Sequence, residues 1–335
     1  MKRVAVNGMG RIGRLVVRSL LGCEDVEIVA VNDVASMETI AYLLAHSTEY
    51  GALGTSVSFD EEAGVLLTGD RSVKAFCEPD ASALPWRELG IDVVLECSGA
   101  YRSRTKAQAH IDAGAKKVLI SAAAGSDVPT VVYGINDTIL TDSDDIVSGA
   151  SCSTVGLAPF AKALNDVTPI QQGIATTIHA LTPSQMTLDD AQRKGNLRRS
   201  RTASENIIPT TAAFAQAVGL VLPELQGRLS GYAIRIPVTR GSLITLYAVV
   251  RYGGEGALDV ARLNELMRGQ KSWMFGYTDE ELVSSDIAGT DLYSIFDATQ
   301  TKVSPLDDGY LVEVAAWFDN ETSYVSQYVK LMRSL

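Results

Sequence analysis

Two side chains in this sequence could form and break covalent bonds. Cys152 stands in Ser151-Cys152-Ser153-Thr154, where a strand-like run, Ile146–Ser148, gives way to a helical stretch from Thr154 to Leu164. A helix N-terminus exposes a thiol and lowers its pKa, which makes it a nucleophile. His179 closes a later strand-like run, Gly173–His179, and an imidazole there could serve as the base. The two lie 27 positions apart, so only the fold can bring them together. From spacing alone, a buried structural cysteine and a satisfied histidine are the better account of these residues. Cys23, Cys77 and Cys97 fit that structural role.

A second constellation concerns anions. Gly8, Gly10 and Gly13 form G-x-G-x-x-G between an apolar run, Val4–Asn7, and a helical pattern, Arg14–Leu21. Glycines there permit a tight turn and close backbone approach to a pyrophosphate, with free N–H groups at the helix start. Asp33 follows 20 residues beyond Gly13, at the end of the second strand-like run. A carboxylate there accepts from ribose hydroxyls and repels a 2′-phosphate, which favours NAD over NADP. The other reading is a structural glycine turn, with Asp33 as a cap or turn residue. Residues 193–201 carry Arg193, Lys194, Arg198, Arg199 and Arg201 and no acid. That stretch suits an anion site, a solvated basic loop or a weak nucleic-acid patch.

The elements that must position these groups follow from the pattern. Val4–Val6, Val26–Val31, Val93–Leu95, Val118–Ser121, Val131–Tyr133 and Ile146–Ser148 are short β-branched runs alternating with helical patterns. They predict an α/β doubly wound parallel sheet. Beyond residue 150 longer runs, Gly173–His179, Tyr232–Pro237, Ser242–Arg251 and Tyr310–Phe318, predict an α+β domain with a mixed or antiparallel sheet. A last helix, Asn320–Met332, places Tyr324, Val325, Tyr328, Val329 and Met332 on one stripe. The expected domains are 1–150 with 319–335, the terminal helix docking back, and 151–318.

Composition narrows the function further. The chain has 335 residues, 46% of them apolar, and a net charge of −11 from 29 Lys and Arg against 40 Asp and Glu. That is a globular composition of about two domains, and its acidity argues against a nucleic-acid partner. Four scattered Cys and three His lack metal-ligand spacing, so no metal site is expected. No targeting segment or apolar run of membrane-spanning length is found, which predicts a cytoplasmic protein with no membrane association.

Taken together, these motifs resemble the phosphorylating glyceraldehyde-3-phosphate dehydrogenase family, which includes erythrose-4-phosphate dehydrogenases. The resemblance runs nearly end to end. It rests on Asn7-Gly8-Met9-Gly10-Arg11-Ile12-Gly13-Arg14, Asn32-Asp33, Glu96-Cys97-Ser98-Gly99, Ala150-Ser151-Cys152 and His179-Ala180-Leu181-Thr182. It continues through Asn206-Ile207-Ile208-Pro209, Leu222-Pro223-Glu224-Leu225, Arg235-Ile236-Pro237 and Asp319-Asn320-Glu321. The resemblance implies a Rossmann-type NAD-binding domain, a catalytic domain and a homotetramer acting in glycolysis. It implies that Cys152 attacks an aldehyde and carries a thioester, that His179 moves the proton, and that inorganic phosphate releases an acyl phosphate. Gly8, Gly10, Arg11, Ile12, Gly13, Asp33, Ser98 and Ser121 would contact NAD, Asn320 would hold the nicotinamide carboxamide and so select the reacting ring face, and Tyr324 would pack near the ring. Arg235 would hold the substrate phosphate and Arg201 the inorganic phosphate, with Ser151, Ser153 and Thr182 supplying hydroxyls.

The chain also departs from the family pattern. The nucleophile motif reads Ser148-Gly149-Ala150-Ser151-Cys152-Ser153-Thr154-Val155-Gly156, without the usual second Asn and second Cys. Ser184 replaces an acid, Ala212-Ala213 replaces the phosphate-site Thr-Gly, and Arg240-Gly241 replaces Asn-Val. Asn320-Glu321 is followed by Thr322-Ser323 in place of Trp-Gly. These changes suggest an altered substrate or acyl acceptor, with Arg240 offsetting the lost hydroxyl or meeting a more anionic substrate. Neutral drift within a glycolytic enzyme is the alternative. Leu84–Gly90 and Gly114–Val118 resemble the erythrose-4-phosphate branch, whereas Asp33 and Val221–Leu225 resemble the glycolytic one. A non-catalytic redox sensor is a third expectation, opposed by retention of Cys152, His179, Arg235 and Asn320.

Overall fold

Continuous apolar runs become the inner strands of an eight-stranded sheet. In a computed structural model that describes every residue except Arg193, Lys194 and Ala212, the spatial order is Ile146–Ser148, Lys117–Ile120, Val93–Glu96, Lys2–Asn7, Val26–Asn32, Arg71–Phe76, Val65–Thr68 and Val57–Asp60. The first six are mutually parallel, and the last two add an antiparallel edge that the sequence reading missed. Lys2–Asn7 is where the strand order reverses, so the glycine loop that follows it opens at the switch point where α/β sheets bind ligands. This sheet belongs to a compact unit of residues 1–150 and 327–335. Val131–Tyr133 is not a strand: one isolated bridge, Thr130 to Ser148, stands there. Asn136 takes up the backbone groups a ladder would need, accepting from Val132 N–H at 2.9 Å and donating to the Thr130 carbonyl at 2.9 Å.

The second unit, 151–326, holds a seven-stranded mixed sheet in the order Ile208–Thr211, Leu229–Arg235, Ile170–His179, Ser242–Val250, Gly309–Phe318, Ser294–Leu306 and Phe275–Thr278. Two neighbouring pairs are parallel and the rest antiparallel. Ser294–Leu306, Phe275–Thr278 and Ile208–Thr211 were not foreseen. The helix Cys152–Val167 packs on one face; a Cβ at Gly156 would lie 2.9 Å from the Phe318 ring. The terminal helix is Thr322–Ser334. Residues 319–326, expected with the first domain, fall in the second unit, whereas Gln327 and Tyr328 belong to the first, where they donate to the carbonyls of Gly149 and Leu119. No helix among the described residues is long and apolar enough to cross a membrane.

Candidate active site

The glycine loop is built by close contact. Gly8 has φ +93°, and a Cβ on it would lie 2.3 Å from Ser98 N; one on Gly13 would lie 1.9 Å from the Gly8 carbonyl oxygen. Beside Gly10, the N-cap of the helix Arg11–Leu20, nothing lies within 4 Å of that position. A bare backbone turning into a helix N-terminus with open space beside it fits a dinucleotide pyrophosphate. Arg11 reaches Glu49 at 3.9 Å, and Ile12 is half-buried in the first helical turn. Asp33 accepts from Met9 N–H at 2.6 Å and from Ala35 N–H at 2.9 Å, so it braces the loop while closing a local turn. It remains half-buried, with lone pairs to spare for ribose hydroxyls.

Ser98, exposed, and Ser121, half-buried, bond to a buried polar chain that the sequence reading does not detect. Glu96, 1% exposed, accepts from Ser98 N–H and Gly99 N–H at 2.8 and 3.2 Å, and from the Asn7 amide. The Ser98 hydroxyl also donates to it, and His110 Nε2 lies 3.1 Å away. Trp86 donates its indole N–H to His110 Nδ1 at 3.0 Å. An indole can only donate, so Nδ1 accepts and the ring proton sits on Nε2, facing Glu96. Ser121 N–H donates to the Glu96 carbonyl at 2.9 Å. Burial, then the Glu96 charge, push the adjacent Cys97 thiol up to about 12, which makes it inert.

In the second unit the fold brings Cys152 and His179 together. Ala150, with φ +59° the one non-glycine among the described residues in the left-handed region, turns the chain sharply just before Ser151. Ser151 caps the helix, accepting from Thr154 N–H at 3.2 Å, and Cys152 is its first residue. Cys152 Sγ lies 3.4 Å from His179 Nε2. His179, fully buried, stands edge-on to Phe318 and has its Nδ1 2.8 Å from the Ala180 carbonyl. The Ala180 carbonyl can only accept, so it calls for the proton on Nδ1, which leaves the Nε2 lone pair aimed at the sulfur; the donor-only Arg235 guanidinium also lies against Nδ1 and opposes that tautomer.

Burial, more than the helix terminus, governs the resting pair. It raises the Cys152 thiol above its ordinary value; Arg235 and hydrogen bonds from Ser153 pull it down, and Glu321 pushes it up. The lowered thiol pKa expected from the helix terminus is therefore overridden by desolvation. His179 is lowered to about 3 by burial, then by the charges of Arg235 and Arg199, against the Ala180 hydrogen bond. Burial therefore favours the neutral form of each group in the resting pair.

The cations around the pair differ from those expected. Arg235 lies against His179 Nδ1, donates to the Ala180 carbonyl at 3.2 Å, and keeps a buried Nε without a partner. Desolvation lowers its guanidinium to about 10. Arg199 is the second cation whose field reaches His179 and Arg235. It is half-buried and donates to Ser184 Oγ at 2.8 Å and Thr210 Oγ1 at 3.2 Å. Arg201, the predicted phosphate residue, instead forms an exposed pair with Asp189 at 2.8 Å, both side chains more than half exposed. Arg199 shares the basic run with Arg201; its half-buried place beside Ser184 and Thr210 sets it apart. Arg193, Lys194 and Ala212 lie outside the described residues. Thr182 shares a 2.9 Å hydroxyl contact with Ser184, Ala213 offers no hydroxyl, and Arg240 is half-buried in the turn before Ser242–Val250. Tyr324 is 2% exposed, and Asn320 is buried with its Oδ1 3.4 Å from Ser242 Oγ.

Residues 2–104 match the domain described as "Glyceraldehyde 3-phosphate dehydrogenase, NAD binding domain", and 151–320 match the C-terminal domain of the same family. The chain is 44% identical over 332 residues to the glyceraldehyde-3-phosphate dehydrogenase of Clostridium pasteurianum, covering 99% of this chain and 98% of that protein. It is 43% identical to that of Lactobacillus delbrueckii subsp. bulgaricus and 42% to that of Streptococcus pyogenes, each covering 98% of this chain and 97% of the relative.

Proposed function

The chain belongs to the glyceraldehyde-3-phosphate dehydrogenase family and is an NAD-dependent oxidoreductase, and from that premise we propose that it oxidises D-glyceraldehyde 3-phosphate with inorganic phosphate to an acyl phosphate. The observation that carries this reading is the 3.4 Å approach of Cys152 Sγ to His179 Nε2, beside two arginines that make no ion pair among the described residues.

Cys152 sulfur adds to the aldehyde carbon while His179 Nε2 takes the thiol proton and returns it to the carbonyl oxygen, giving a hemithioacetal. Gly8, Gly10, Arg11, Ile12, Gly13, Asp33, Ser98 and Ser121 would hold NAD, with Asn320 and Tyr324 at its nicotinamide, and the cofactor would supply the acceptor for the hydride that leaves that carbon. His179 takes the hydroxyl proton as the carbonyl re-forms, leaving a thioester on Cys152. A phosphate oxygen then attacks the thioester, the C–S bond breaks, and the sulfur regains a proton; the second proton passes from His179 to solvent. Arg235 and Arg199, with Ser151, Ser153 and Thr182, hold the phosphate groups, because desolvated guanidinium forks without carboxylate partners favour dianions.

We assign a homotetramer on the exposed apolar face of the second sheet, where Ile174, Tyr232, Tyr247 and Leu311 are each at least 40% exposed. A reducing cytoplasmic setting suits the four unpaired cysteines.

The test measures NADH formation from glyceraldehyde 3-phosphate and from erythrose 4-phosphate, with and without phosphate, and repeats it with Cys152→Ser. Sustained turnover is expected only with phosphate and is faster with the three-carbon aldehyde. The Cys152→Ser variant should lose about a thousandfold or more while still binding NAD. Faster turnover of erythrose 4-phosphate would reassign the substrate. Undiminished turnover in the serine variant would overturn the thioester route.

A further inference from the structure

Ser242 opens the strand Ser242–Val250 and is 1% exposed. Its hydroxyl oxygen accepts the backbone N–H of Ala180 at 3.1 Å. Asn320 Oδ1 lies 3.4 Å away, the remaining acceptor in reach of the hydroxyl proton. A buried hydroxyl proton is costly to leave unmatched, so Ser242 donates to Oδ1, and the Asn320 amide must then turn its NH2 outward. Among the described residues, that donor is the hydrogen-bond contact that tells the two ends of the amide apart. The same peptide unit serves the base: Ala180 offers its N–H to Ser242 and its carbonyl to His179 Nδ1–H at 2.8 Å. One hydroxyl therefore stands between the residue that orients the nicotinamide and the residue that orients the catalytic imidazole. The 3.4 Å contact is long in the resting state, as hydrogen bonds in catalytic sites often are before ligand binds.

We propose that Ser242 is a positioning residue that sets the orientation of the Asn320 amide, and through it the face of the nicotinamide ring that receives hydride. This rests on the reading of Asn320 as the carboxamide-holding residue. Ser242 touches neither substrate nor cofactor in this account.

The experiment uses NAD deuterated at C4 of the nicotinamide and reads which diastereotopic position of the product carries the label, together with kcat and KM. Wild-type protein should deliver hydride to a single face. Ser242→Ala should raise wrong-face transfer and lower kcat, each by about tenfold, the worth of one hydrogen bond, with the aldehyde KM little changed. Ser242→Thr, which keeps the hydroxyl, should restore fidelity. Ser242→Cys, of similar volume but a weaker donor, should fall between and serves if the alanine variant folds poorly. A lowered melting temperature with fidelity intact in the alanine and cysteine variants would make Ser242 purely structural and overturn the proposal. Asn320→Ala separates the two levels. If Asn320→Ala scrambles the face and Ser242→Ala does not, only the role of Ser242 falls. If neither does, the reading of Asn320 falls with it.

Discussion

His110 and His179 are both 0% exposed, yet the fold uses them in opposite ways. In the first unit, His110 has both ring nitrogens consumed, by the Trp86 indole and the Glu96 carboxylate. It spends its hydrogen bonds holding a carboxylate that in turn holds the Ser98 and Gly99 amides. In the second unit, His179 has its Nδ1 beside the Ala180 carbonyl and the Arg235 guanidinium, and points Nε2 at the sulfur of half-buried Cys152. Its charged neighbours are two arginines instead of a carboxylate. Burial is common to both, so burial does not make a catalytic base. An uncommitted nitrogen facing a reactive group does, together with surrounding charge that keeps the ring unprotonated.

The sharpest way to break this contrast is to remove each ring. His179→Asn should lower kcat/KM by about 10²–10⁴-fold, the usual worth of a general acid–base group, with little change in NAD affinity. His110→Asn should do the reverse, leaving kcat within a few-fold while destabilising the fold by about 1–3 kcal/mol through unsatisfied Glu96 and Trp86 groups. Steady-state kinetics and denaturant melts on both variants check this. Equal kinetic losses would erase the distinction.

The arginines give the next largest effect. Arg199→Ala should raise the KM for phosphate or for the phosphorylated aldehyde by about 10- to 100-fold, as expected for a charge-assisted contact. Arg201→Ala should stay within about twofold, because its exposed pair with Asp189 contributes little. The opposite ranking would return the phosphate role to Arg201.

A pH titration sharpens the comparison with the smallest perturbation. Burial holds the Cys152 thiol above its ordinary pKa and His179 near 3. Peptide-resolved iodoacetamide labelling of Cys152 in the free enzyme should therefore climb with pH through neutrality, with no plateau below about pH 8.5, while Cys97 stays unlabelled. A plateau near pH 6 would mean a thiolate–imidazolium pair instead. The stability sign follows from the same shift. A histidine held below its unfolded value of about 6.5 takes up a proton more readily when unfolded. Its contribution is present above that value and is lost as pH falls toward 3.

The legible parts were those written in local pattern. Gly8, Gly10 and Gly13 between a strand and a helix required a turn with no room for side chains, and the contacts of Gly8 and Gly13 show why. Helix Cys152–Val167 and strand Ile170–His179 lay within a few residues of their expected bounds. What failed was also physical. Val131–Tyr133 has strand composition, but the Asn136 side chain takes the Val132 N–H and the neighbouring Thr130 carbonyl. Ser294–Leu306 is a strand whose solvated residues hide any clean alternation. Arg199 and Arg201 look interchangeable in a basic run, and only Ser184, Thr210 and Asp189 tell them apart.

The sequence by itself determined the residue types: a thiol at a helix start, an imidazole at a strand end, a glycine turn with its acid, and enough arginine for anions in an acidic chain. Those are local facts, set by backbone preference and side-chain chemistry. The tertiary structure alone decided that Cys152 meets His179, that burial pushes the thiol up against the helix terminus, and that one buried histidine faces a thiol while the other braces a carboxylate. Each depends on distance and burial between residues far apart in the chain, and those quantities exist only once the strands have paired.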